Sequence, residues 1–219
     1  MEELMILRQM EFQVLAAALG IGEIFGVRPK EDMSHPEQSE LLNTIYEMAQ
    51  KGIIKPNGQK YEVQEPWRTI MCSIREAGKI LAVENRENRA VTFYFGRELI
   101  CLEESAQDED AVLIGKYAPE ECTGLLEEKG FLPPPYLDAD LAELQTEEEA
   151  REWLVRVTAS GNEIPFICHY QIFDGFKIQQ DDFYLVDNPC NYWIVRKSGE
   201  GLQFSRYNGV FDSLCFSSV

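Results

Sequence analysis

Residues 41–63 read, in order, as an amphipathic helix, a glycine stop and a tight hairpin: LLNTIYEMAQ, KG, then IIKPNGQKYEV. Leu41, Ile45 and Met48, with Leu42 and Ala49, recur at helical spacing and form the expected buried stripe, while Glu40, Asn43, Glu47 and Gln50 face out. Gly52 ends the helix, and in the Pro56-Asn57-Gly58 turn Asn-Gly supplies the positive φ angles that a tight hairpin turn requires. This order is that of a winged helix, a fold best known for gripping nucleic acid. The chain that carries it has a formal net charge of −18. So acidic a surface repels phosphates and directs attention to a protein partner.

The rest of the chain predicts an α+β protein, a winged-helix-like N-terminal segment followed by a mainly antiparallel sheet with flanking helices. Residues 4–19 show two apolar stripes, one through Leu7, Met10, Val14 and Ala17, the other through Phe12, Leu15 and Leu19. They predict a helix covered on more than one side and stopped by Gly20. A polar, proline-marked loop covers 27–36, and the helix just described runs over 37–51. Pro66 opens a further helix in which Trp67, Ile70, Met71, Ile74, Ala77 and Leu81 keep helical spacing. Near residue 90 the period changes to two: AVTFYF, a Gly96-Arg97 turn, ELICLE and AVLIG read as successive strands. A helix over 119–129 and the stiff connector FLPPPY complete an N-terminal half, residues 1–134. The second half, 135–219, begins with a helix at 146–157. A meander follows over 164–173, 182–187, 191–197, 202–206 and 210–216. The two halves are expected to pack as one unit.

Charge is unevenly placed, since residues 101–152 carry 3 basic against 16 acidic side chains and so hold −13 of the total. That run reads as a solvated face or as a docking surface for a basic partner. Six cysteines, Cys72, Cys101, Cys122, Cys168, Cys190 and Cys215, are scattered without a CxxC or a histidine at zinc-ligand spacing, and read as buried thiols. No apolar run approaches the roughly 20 residues that span a bilayer. Glu2 and Glu3 stand where a signal peptide carries positive charge, so a cytoplasmic location is expected.

Chemical motifs give little. In Cys168-His169 the two side chains are neighbours on a strand, point to opposite faces and cannot form a dyad with each other. Gly20, Gly22 and Gly26 miss the spacing of a dinucleotide loop and follow a helix instead of a strand. Asp181, Asp182 and Asp187 could meet across a turn, but EF-hand spacing is absent. With His35 and His169 the only histidines, no catalytic residue, cofactor or metal is expected. The helix at 37–51 presents Glu37, Glu40 and Glu47 against a single Lys51, the wrong sign for a groove-reading helix. A basic stripe of Arg68, Arg75 and Lys79, with Lys55 and Lys60 on the hairpin, is expected to pair with the chain's own carboxylates in 101–152.

The order of blocks resembles the EspG-type chaperones of type VII (ESX) secretion. The likeness rests on Glu11-Phe12, Leu15 and Leu19-Gly20 in the opening helix and on Lys51-Gly52-Ile53-Ile54 at the end of the next. A hairpin, a helix and FYFGRELICLE follow, so that the pattern spans mainly residues 8–104. This chain is richer in cysteine and aromatics than the family and more acidic in its middle. The resemblance implies a cytosolic, non-enzymatic protein that shields the apolar end of a helical secretion substrate. It transfers no binding residue, although an exposed sheet face with Tyr94 or Tyr170 would suit. Two alternatives stand beside it: a winged-helix regulator acting through protein contacts or DNA, and an enzyme with a dispersed site.

Overall fold

The stretch Met5–Arg8 is not the first turn of a helix but a strand, β1. It pairs antiparallel with β7 (Ala111–Tyr117) in the register Met5 with Ile114 through Arg8 with Ala111. The helix expected over 4–19 is thereby shortened to α1, Gln9–Ala18. The computed structural model describes residues 4–22, 24–27, 37–105, 107–108, 110–133, 147–159, 166–176, 178–188, 191–198, 201–207 and 211. Within them the protein is a mixture of helix and strand with a large antiparallel sheet. Parts of the polar loop at 27–36 and of the FLPPPY connector fall outside the described residues. So do His35, Cys190, Cys215 and all of the last expected strand except Phe211.

Two compact units make up the chain. The first comprises residues 1–82 and 90–119, the second 83–89 and 120–219. The break at Pro119–Glu120 precedes the 134/135 boundary read from the prolines.

In the first unit the remaining elements are α2 (Gln38–Gln50), β2 (Ile54–Asn57), β3 (Lys60–Val63), α3 (Trp67–Arg75), the start of β4 (Lys79–Asn85), β5 (Ala90–Phe95) and β6 (Leu99–Glu104). The sheet order is β1-β7-β6-β5-β4, and β2-β3 stands apart as a two-stranded hairpin. Gly58 (φ +63°) opens its two-residue turn between the paired Asn57 and Lys60. Gly52 (φ +73°) closes α2 as expected, with its N–H on the Ala49 carbonyl. The third helix, however, stops at Arg75. Ala77 and Leu81 keep helical spacing only by coincidence, because residues 79–85 are strand. The core gathers Leu7, Phe12 and Leu15 with Met48, Ile70, Met71 and Ile74 and with Phe93, Tyr94, Ile100, Leu102 and Val112. The Tyr94 hydroxyl donates to the Phe25 carbonyl at 2.7 Å. Burial drives its pKa up, against a smaller opposing effect of that hydrogen bond.

The second unit holds α4 (Cys122–Glu128), α5 (Glu147–Ala159) and the strands β8 (Phe166–Asp174), β9 (Ile178–Asn188), β10 (Asn191–Ser198) and β11 (Gly201–Arg206). Its sheet runs β8-β9-β10-β11, led by the end of β4, residues 83–85. On one face α5 lays Ala150 and Leu154 over Val186, Trp193, Val195 and Phe204. Strand alternation sends Tyr170 and Phe183 to the other face. There they stack at 4.9 Å, Tyr170 tilts against Phe211 at 5.2 Å, and its hydroxyl donates to the Phe131 carbonyl.

Candidate functional site

The helix α2 shows three faces to three environments. A residue advances 100° around a helix, which sets Thr44 and Met48 together, Leu42 and Tyr46 about 160° away, and Glu40 and Glu47 on the remaining flank. Thr44 (5% exposed) and Met48 are buried. Leu41, Ile45 and Ala49 are half-buried, whereas Leu42 (58%) and Tyr46 (65%) stand in solvent. This corrects the expected stripe: Leu42 lies outside the core, and Thr44, which no apolar pattern could single out, lies in it. Large exposed apolar side chains side by side on one helix are an ordinary mark of an interaction surface.

On the acidic flank a cleft of ≈ 260 Å³ opens between α2, the junction of β1 with α1, and the turn before β7. Its walls are Arg8, Met10, Ser39, Glu40, Asn43, Thr44, Glu47 and Asp110. Beneath it lies an ion network. Glu11, 1% exposed, accepts the Arg8 backbone N–H at 3.0 Å and the Lys51 ammonium at 2.6 Å, with the Arg8 guanidinium at 3.5 Å. The same guanidinium binds Glu47. Burial alone would raise the Glu11 pKa, but the Lys51 and Arg8 hydrogen bonds and charges outweigh it, and the carboxyl is held below its ordinary value. A depressed pKa stabilises the fold above the unfolded value and loses that contribution as pH falls through the folded one. The stability difference between the wild type and Glu11→Gln should therefore be greatest above about pH 5 and vanish on acidification. Denaturant melts from pH 7 to pH 3 measure it; a difference independent of pH would show that Glu11 is not ionised in the fold.

The other sequence candidates are not brought to this site. Cys168 is core, its thiol pushed up to about 12 by burial despite a hydrogen bond with Tyr170. His169 does project from the opposite face, and its Nε2 lies 2.6 Å from Asp182 Oδ1 while its ring stacks on Tyr184 at 4.3 Å. Asp182, thirteen residues on, is the partner that sequence reading missed; the β8–β9 register, setting His169 opposite Tyr184, is the signal that could have found it. The pair offers a base and its orienting acid, but the adjacent thiol faces away. Asp181 is committed to Arg196, which it binds through both oxygens. Among the described residues no three His, Cys, Asp or Glu side chains form a metal-binding group.

Tyr94 and Tyr170, named as candidates for an exposed aromatic face, are both fully buried. For Arg68 and Arg75 the expected pairing with 101–152 is also corrected. Arg68 reaches Glu62 at 3.9 Å, and Arg75 reaches Glu76 at 2.9 Å and the Leu19 carbonyl at 3.3 Å. Lys79 sits on β4 and so leaves the helix altogether. No helix among the described residues is long and apolar enough to cross a membrane. No family model matches the chain, and no curated protein matches it either.

Proposed function

We propose that this chain is a non-enzymatic, cytoplasmic protein-binding chaperone or adaptor, of the kind that serves helical substrates of type VII secretion. The observation that carries the reading is the outer face of α2, where exposed Leu42 and Tyr46 continue half-buried Leu41, Ile45 and Ala49, with Glu40 and Glu47 on a separate acidic flank of the same helix. Such a surface suits one occupant, an amphipathic helix with an apolar stripe and basic flanking residues. In this reading α2 and the β2–β3 hairpin form a winged-helix-like module turned to protein recognition. Glu40 and Glu47 on the exposed flank of α2 argue against a phosphate backbone as the ligand.

The test is a titration with a synthetic helix carrying leucines at i, i+3, i+4 and i+7 and arginines beside them. Leu42→Glu and Tyr46→Glu should each weaken binding by about tenfold or more, as expected when a central interface anchor is lost. Because both positions are exposed, unfolding free energies should stay within about 0.5 kcal/mol of the wild type. Unchanged affinity in both variants, or tighter binding to a DNA duplex than to the helix at 150 mM salt, overturns the proposal.

A further inference from the structure

We infer that the cleft beside α2 is a receptor for a single basic side chain, an arginine of the bound partner. The inference rests on the reading of α2 as the partner-facing helix and names what that helix recognises. Three acidic groups, Glu40, Glu47 and Asp110, line the cleft against one cation, Arg8. Glu47 already holds Arg8, while Glu40 has no ion-pair partner among the described residues.

Two polar groups on the cleft wall point independently to a guest. Thr44 is 5% exposed and lines the cleft, yet its hydroxyl has no hydrogen-bond partner among the described residues. The Arg8 Nε, on the same wall, is buried and likewise unpartnered. Leaving the buried Arg8 Nε–H unpaired costs free energy that a ligand can recover.

Size and geometry select the guest. The ≈ 260 Å³ available falls below the about 300–1,000 Å³ of sites for drug-sized molecules and is enough for one long side chain. A metal ion is disfavoured, since the three carboxylates do not form a metal-binding group. A guanidinium presents a planar fork of donors that a carboxylate can accept in pairs and that the Thr44 and Ser39 hydroxyls and the Asn43 amide oxygen can also accept. A carbonyl oxygen on the residue bearing it would satisfy the Arg8 Nε–H.

The experiment titrates the ¹⁵N-labelled full chain with N-acetyl-arginine amide and, separately, with N-acetyl-citrulline amide, which has the same shape without the charge. Saturating shifts at the amides of Ser39, Asn43, Thr44 and Asp110 are expected with arginine, with citrulline at least about fivefold weaker. Thr44→Val, which keeps the branched shape, and Glu40→Gln, at an exposed position, should each weaken arginine binding by several fold. Leu42→Glu should leave it intact while weakening helix binding by about tenfold or more, so this inference and the proposed function fail separately. Equal response to citrulline, shifts that do not saturate, or shifts spread over the acidic surface away from the cleft would each refute the assignment.

Discussion

Gly26→Ala is expected to destabilise the first unit by about 3 kcal/mol or more, although it adds a single methyl group. Two costs combine. Gly26 has φ of +81°, a left-handed conformation that costs an L-residue roughly 1–2 kcal/mol. A Cβ there would lie 2.1 Å from Thr92 Oγ1 and 2.7 Å from Thr92 Cβ. Thr92 is buried on β5, and the Tyr94 hydroxyl holds the preceding Phe25 carbonyl, so neither side can yield cheaply. Overpacking of this sort costs typically about 1–3 kcal/mol. Gly20→Ala separates the two terms, because Gly20 has φ of +71° but nothing within 4 Å of the added methyl. It should cost only about 1–2 kcal/mol. In urea melts Gly26→Ala should thus be clearly the worse, and Thr92→Ala in that background should restore part of the loss. Equal costs at the two glycines would mean that the segment 24–27 does not lie against β5.

The elements that were legible in the sequence are those whose signal is local. The stop at Gly52 and the strands at AVTFYF and ELICLE each depend on a few adjacent residues and form where expected. The hairpin turn moves one residue on, to Gly58-Gln59, because Pro56 and Asn57 belong to β2. What failed depended on distant partners. In MILRQMEFQVLAA, apolar spacing fits a helix from the start, and only the pairing of Met5–Arg8 with residues 111–114 makes its first part a strand. Likewise Ala77 and Leu81 extend the spacing of α3 by accident, while the chain has already turned into β4.

The candidate site was harder still. Arg8, Thr44 and Asp110 come from three segments, and no spacing rule joins them. One local cue did exist: Glu11 is the third residue of α1, where a carboxylate commonly accepts the backbone N–H that precedes the helix. Read as part of a capping box, it would have moved the helix start to Gln9 and freed Met5–Arg8 for the sheet. On α2, periodicity found the apolar residues but could not say which side of an apolar arc of about 160° is covered. That distinction decides between core and interface, and it depends on what α1 and the hairpin leave open.

Aspartate scanning of α2 makes that distinction measurable. Met48→Asp places an unpaired carboxylate at a site with no solvent exposure and should cost about 3–5 kcal/mol, enough to unfold a marginal domain. Ile45, read from periodicity as equally buried, is only half-buried. Ile45→Asp should fall well short of that cost, since its charge can reach water. Leu42→Asp should remain within about 0.5 kcal/mol of the wild type. The order Met48, Ile45, Leu42, read from denaturation midpoints at neutral pH, therefore maps the buried and open sides of one helix. The third value bears on function as well as fold. If Leu42→Asp cost as much as Met48→Asp, the outer face of α2 would be covered by the protein itself, and no partner helix could dock there.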